Sequence, residues 1–370
     1  MAGDRLSSSR ACQRYENYRF TAILHPYFSF LGSTMANPPT PTTAERNAAL
    51  GRLARNETVG LTNRRQLESY DFVEDLAVKR LVTQKLCTAA TADLVYGGIL
   101  KLLEDARLTI SLKAPNWFYH ENTSKTYGNF WERGVSGASS DAKKRDAAEN
   151  SMFGYSNPVT DADPKVKAAQ NRLLTFGTSP SATFEPAMRP RYAAVDFAYC
   201  INGGLSKYGK SFLVLKDHMK HNSTFTHCDS FEVDMDLMER KDEYFGTKLN
   251  LQDVACSFFQ LGFIVLFCHP AVLKKLHAYA TREAKKGSET NLLGGMIYIE
   301  AQMHADIQFS RDVAELNISG QDCAAGPVSH PKSKSFFGKK TVWDNDDIAR
   351  VKKNAKKFAA SNGLIYNDVP

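Results

Sequence analysis

The sequence predicts an α+β protein, with an N-terminal helical subdomain followed by a mixed β-sheet. Apolar residues recur at three- and four-residue spacing across 67–103. From 108 onward they alternate with polar residues in short runs, separated by glycine, asparagine and proline. The first spacing is the period of a helix face and the second that of a strand face, so helices come first and sheet after.

In chain order, residues 1–43 read as a disordered leader rich in Pro, Ser and Thr. Within it Met35 opens a Pro/Thr-rich stretch that itself reads like a natural N-terminal tail. Residues 44–105 form the helical subdomain, three or four helices with few breakers until Gly97 and Gly98. Residues 106–370 form the sheet domain, with strands expected at 108–112, 192–197, 211–215, 224–233 and 296–309. The stretch 251–280 is apolar enough for buried helices, and Pro270 breaks it. Residues 345–361 read as a basic C-terminal helix, with Asp346 and Asp347 in its first turn and Gly363 just past its end.

Composition excludes several classes. The 370 residues are 43% hydrophobic, yet no apolar run reaches the length of a transmembrane helix, so stable membrane insertion is not expected. The net charge of +7 is concentrated at 332–357, with smaller clusters at 143–145 and 285–286. Such runs are usually solvated faces, and a footprint for an acidic partner is the sharper alternative. Aromatics interleave with the main run only at Phe336 and Phe337, which speaks against a single-strand nucleic-acid groove. Seven scattered cysteines with no Cys-x-x-Cys read as reduced thiols.

The strand at 296–309 is the best active-site candidate. Its polar face carries Glu300, Gln302 and His304, spaced about 6.5–7 Å apart along a pleat. A solvated face on a surface strand is the commoner meaning of such alternation. A carboxylate, an amide and an imidazole together are less usual there. A second constellation lies at 221–230. A zinc site from His218, His221, His227 and Cys228 fits no standard spacing, and Cys228 as a nucleophile served by His227 or His304 is a further option. A third segment, Tyr127-Gly-Asn-Phe-Trp-Glu-Arg-Gly, offers aromatic rings, a cation and glycines suited to a nucleotide; its bland alternative is a surface loop. A fourth, Lys207-Tyr-Gly-Lys-Ser, is a turn feeding a strand.

Together these segments resemble a bacterial family long known only as a domain of unknown function, whose members include mono-ADP-ribosyltransferase effectors injected into host cells. The resemblance rests on residues 127–137, Arg189-Pro-Arg-Tyr-Ala-Ala-Val, Lys207-Tyr-Gly-Lys-Ser, Thr224-Phe-Thr-His-Cys-Asp-Ser, Tyr298-Ile-Glu-Ala-Gln-Met-His and Arg311-Asp-Val-Ala-Glu-Leu, and spans roughly 108–313. Lys113, Arg133 and Cys228 depart from the family pattern, which carries histidine, threonine and glycine there.

The resemblance implies an ADP-ribosyltransferase-like core that uses NAD as substrate. It also implies secretion into the host cytosol and a host protein target. Ubiquitin threonine, the target of CteC, is the first choice. V-ATPase glutamine, the target of SopF, is the second, and a host activator protein is a further possible partner. On this reading Glu300 stabilises the oxocarbenium-like ribose as nicotinamide leaves. Gln302 positions the acceptor and His304 deprotonates it. Tyr127 or Phe130 stacks on nicotinamide, and Arg133 holds the pyrophosphate. Tyr208, Thr224, Thr226, Asp229 and Ser230 complete the NAD site, and no metal is required. The competing classes are a non-catalytic host-protein-binding module on the same fold and a cysteine or metal hydrolase.

Overall fold

The structure is a computed structural model that describes residues 70–133, 145, 149, 189–230, 255–293, 297–327 and 343–370. All of these belong to one unit, Pro39–Pro370. The expected leader at 1–43, the first helices of the 44–105 segment and the basic run before Trp343 lie outside the described residues.

Two helices, α1 (Tyr70–Thr83) and α2 (Ala92–Glu104), lead into strand β1 (Arg107–Leu112). Gly97 and Gly98, expected to break a helix, lie inside α2. A helical glycine costs roughly 1 kcal/mol against alanine. Burial of Tyr96, Ile99, Leu102 and Leu103 on the same helix outweighs that cost. After β1 come a short helix α3 (Ala114–Phe118) and the two-residue β2 (Thr126–Tyr127). Strands β3 (Arg191–Asp196), β4 (Ser211–Leu215) and β5 (Ser223–Thr226) follow, the last entered from a 3-10 turn. Then come β6 (Cys256–Ser257), α4 (Gly262–Phe267) and α5 (Pro270–Ala280), with Pro270 in the first turn of α5, where its missing N–H is harmless.

The expected strand at 296–309 divides into β7 (Glu300–Met303) and β8 (Ile307–Gln308), followed by one helical turn, α6 (Phe309–Asp312). The His304 N–H leaves the ladder to bond the Asn222 carbonyl, and the Asp312 carboxylate takes the Gln308 N–H at 2.7 Å. Alternation cannot tell one long strand from two that change partners, because both keep the same period. The chain ends with β9 (Val313–Ser319), α7 (Gly320–Ala325), α8 (Asn345–Asn362) and β10 (Ile365–Val369). Asp344 caps α8 with a capping box, and Gly363 stops it in the left-handed region at φ 66.

Eight strands form one mixed sheet in the order β10-β9-β4-β1-β3-β7-β5-β6. Among the described residues only β10 and β9 run parallel, while β2 and β8 pair apart as a small ribbon. Because side chains alternate along each strand, register sorts the sheet into two faces. Leu108, Ile110, Val195, Leu213, Ala301 and Leu316 share one, and they merge with the buried faces of α1, α2, α4, α5 and α8 into one apolar core. Helices α1 and α2 pack on α4 and α5, so the described helices before β1 share their core with the sheet. The opposite face carries Thr109, Tyr192, Glu300, Gln302, Thr224 and Thr226.

Candidate active site

Glu300 and Gln302 lie on a central strand, not an edge. Gln302 sits between Tyr192 on β3 and Thr224 on β5, and Glu300 between Ala194 and Thr226. A solvated polar face is therefore ruled out: Glu300 is 1%, Gln302 0% and His304 1% exposed.

A polar group so buried must find partners inside the protein. The Gln302 amide N–H groups donate to Glu300 Oε1 at 2.9 Å and to Thr226 Oγ1 at 2.8 Å. Its carbonyl accepts from Thr224 Oγ1 at 3.0 Å, and Thr224 Oγ1 also lies 2.9 Å from His304 Nε2. Thr226 passes its own proton to the Cys228 carbonyl at 2.8 Å. Glu300 Oε1 also accepts the Ser230 N–H at 3.3 Å, and Oε2 accepts the Tyr298 hydroxyl at 2.8 Å. Both carboxyl oxygens are thus held by fixed donors.

Burial pushes the Glu300 carboxyl up to about 7, and the charge of Asp229 adds to the rise; Arg145 and the bonds from Gln302 and Ser230 pull the other way. The Tyr298 phenol is pushed well above its ordinary value by burial and by Glu300 and Asp229. Burial opposes the charge on Arg145, but Tyr192, Glu300 and Glu149 overcome it and keep the guanidinium charged. That guanidinium lies 3.9 Å from the centre of the Tyr192 ring. The Tyr192 hydroxyl donates to Glu149 at 2.7 Å, and Glu149 is paired with Arg189 at 3.0 Å. The wall therefore combines a desolvated carboxylate, a second carboxylate, a half-buried cation and two threonine hydroxyls. Such a wall can stabilise positive charge developing beside Glu300, and its dry surroundings strengthen that interaction.

Of the residues singled out from sequence, the structure joins Glu300, Gln302, His304, Thr224, Thr226 and Ser230 in one bonded network, with Asp229 in electrostatic reach. Tyr208 is 47% exposed and acts electrostatically on Tyr298. Tyr127 and Arg133 are not brought to Glu300 by any described contact. The Tyr127 ring stacks on Trp117 at 5.7 Å, and Arg133 sits 5.0 Å above it and donates to its hydroxyl. The Tyr127 carbonyl accepts from Arg191, which faces away from Tyr192 at the start of β3. Phe130 packs edge-on against Trp131, whose indole N–H reaches Glu149, so this loop approaches the wall through Trp131. Among the described residues no three His, Cys, Asp or Glu side chains converge to hold a metal. Of the imagined zinc ligands, His218 bonds Asp312 at 2.9 Å and His221 packs against Phe258.

Tyr192, Arg145 and Glu149 join the site although sequence reasoning does not single them out. The 143–145 charge cluster is expected as a solvated face, yet Arg145 lies over Tyr192. The one signal available was the Arg189-Pro-Arg-Tyr run, which places an aromatic and two cations at a strand entry.

The fold and the wall define a class: a mixed α/β protein whose central sheet buries a carboxylate-bearing polar network on the face opposite its apolar core. Residues 125–326, more than half of the chain, match the family described as "Protein of unknown function (DUF3626)". The chain belongs to that family. No curated protein matches it.

Proposed function

We propose that the protein is an NAD-dependent mono-ADP-ribosyltransferase, delivered by a bacterium into the host cytosol to modify a host protein on an ADP-ribosyltransferase-like core. Ubiquitin threonine is the preferred target and V-ATPase glutamine the second. The observation that carries this reading is the Glu300 carboxyl, held at both oxygens on a buried wall beside a cation. Cleavage of the nicotinamide–ribose bond builds positive charge on the ribose, and a preorganised carboxylate stabilises that charge. Gln302 has both ends of its amide engaged inside the wall, so its part is to position Glu300 instead of reaching for an acceptor. Thr224 and Thr226 orient Gln302. His304, tied to Thr224, is the nearest base for the acceptor proton.

NAD cleavage by Glu300→Ala tests the reading. A fall of about 100-fold or more, with an unchanged circular dichroism spectrum, is expected from loss of one such electrostatic stabiliser. A rate equal to wild type would overturn the assignment. The near-complete burial of Glu300 favours one other reading, a non-catalytic host-protein-binding module. Calorimetric titration with NAD separates the two, since a module gives no heat of binding even with its partner present.

A further inference from the structure

We propose that Glu149 is a positioning residue, which seats the Arg145 guanidinium beside Glu300 by fixing the Tyr192 ring beneath it. Glu149 is 0% exposed, and both of its oxygens are engaged. Oε1 accepts the Tyr192 hydroxyl at 2.7 Å. Oε2 accepts the Trp131 indole N–H and an Arg189 guanidinium N–H, each at 3.0 Å. An indole and a guanidinium can only donate, so these two bonds fix where the carboxylate lies. Arg189 is buried as well, and its carbonyl accepts an amide N–H of Asn129 at 3.0 Å. The anchor thus draws on the 127–133 loop and on the entry to β3.

Tyr192 carries that anchor to the wall. Its ring is held at one end by β3 and at the other by Glu149, so it has little freedom to tilt. Arg145 lies 3.9 Å above the ring centre, and its Nη1 is 3.5 Å from Ser230 Oγ. The Ser230 N–H in turn reaches Glu300 Oε1 at 3.3 Å. Register also sets Tyr192 opposite Gln302, another donor to Glu300. Glu149, enclosed among its own donors, therefore acts on Glu300 through Tyr192 and Arg145.

Charge and positioning predict opposite signs, which makes the proposal testable. Glu149 and Glu300 are both carboxylates. By charge alone, removing Glu149 eases the ionisation of Glu300 and lowers its titration midpoint. If Glu149 seats Arg145, removing it withdraws a cation and the midpoint rises. The other groups facing Glu300 are Asp229, which opposes its ionisation, the Tyr298 phenol, and His304, joined through Thr224 and Gln302. They are the same in every variant below.

Carbon-13 NMR of the full chain, labelled at the glutamate carboxyl carbons, follows the titration, with the Glu300 signal assigned by its loss in Glu300→Gln. The wild-type midpoint is expected near 7. Glu149→Gln is expected to raise it by about one pH unit. Tyr192→Phe keeps the ring and both charges and is also expected to raise it; this milder change decides the matter if Glu149→Gln does not fold. Neither substitution is expected to raise the midpoint further in an Arg145→Met background. A midpoint lowered or unchanged in Glu149→Gln, one unchanged in Tyr192→Phe, or a rise that persists in Arg145→Met overturns the proposal. Its catalytic meaning, a Glu300 kept ionised for the ribose, rests on the transferase reading. The spectra need neither NAD nor target, so they read the seat independently of whether ADP-ribose is transferred.

Discussion

At the scale of the residue, the charge on Glu300 is the quantity to measure. Its carboxyl titrates near 7 in the folded chain, pushed up by burial first and by Asp229 next, against about 4.3 for a free glutamate. Between those values the folded state binds more protons than the unfolded one. Stability therefore falls as pH rises through that window, and the loss is complete above it. Glu300→Gln removes the titrating group and keeps the shape. At pH 8 it is expected to raise urea-unfolding stability by roughly 1–3 kcal/mol relative to wild type, and at pH 4 to leave it nearly unchanged. Parallel pH dependence in the two proteins would show that Glu300 is not the buried charge described. On the transferase reading proposed above, NAD cleavage is expected to show an acid limb near pH 7, since only the ionised carboxylate would stabilise the ribose. Glu300 and Gln302 were legible in sequence because they are two residues apart on one strand, and His304 follows at the same spacing just past its end. Tyr192 and Arg145 were not, because their place beside Glu300 depends on β3 pairing with β7 and on a residue that packs over β3 from elsewhere.

At the scale of the element, the clearest long-range lock is Arg80 of α1. It is 5% exposed, and its guanidinium donates to the carbonyls of Val265 at 2.8 Å, Leu266 at 2.6 Å and Cys268 at 2.5 Å, at the C-terminal end of α4. Those carbonyls have no helical N–H to accept, so a charged donor both satisfies them and complements the helix dipole. Arg80→Met strands buried acceptors and is expected to cost about 2–4 kcal/mol in chemical denaturation. A change within 0.5 kcal/mol would mean that water replaces the guanidinium at no loss. Local signals made α8 readable in advance, since its cap residues and its terminal glycine adjoin it in sequence. The Arg80 lock joins residues 185 and more apart, so no local pattern announces it. The division of 296–309 was hidden for a related reason, as the partners of β8 come from β2.

At the scale of the whole molecule, a strand-and-helix census read from sequence suggests a helical subdomain at 44–105 placed before a sheet domain at 106–370. Helices α1 and α2 contribute Val73, Leu81, Ile99 and Leu103 to the cluster that lines the apolar face of the sheet. A chain cut to 106–370 exposes that face and is expected not to fold, giving no dispersed amide spectrum and no cooperative melt. A native-like spectrum from the cut chain would show that the sheet domain needs no cover from these helices. The alternation of β1 foretold a strand with two unlike faces, but nothing in it said that both faces are buried. Periodicity reports which side chains share a face, and the cover over that face is a tertiary fact.

The most direct test of the central claim is transfer of label from NAD carrying a tagged adenine to proteins of a host lysate, compared between wild type and Glu300→Gln. Transfer to a discrete host protein by wild type, reduced about 100-fold in the variant, is the expected result. Mass spectrometry of the labelled peptide then gives the acceptor residue. Absence of labelled protein from the wild-type reaction, or equal labelling by the variant, would contradict it.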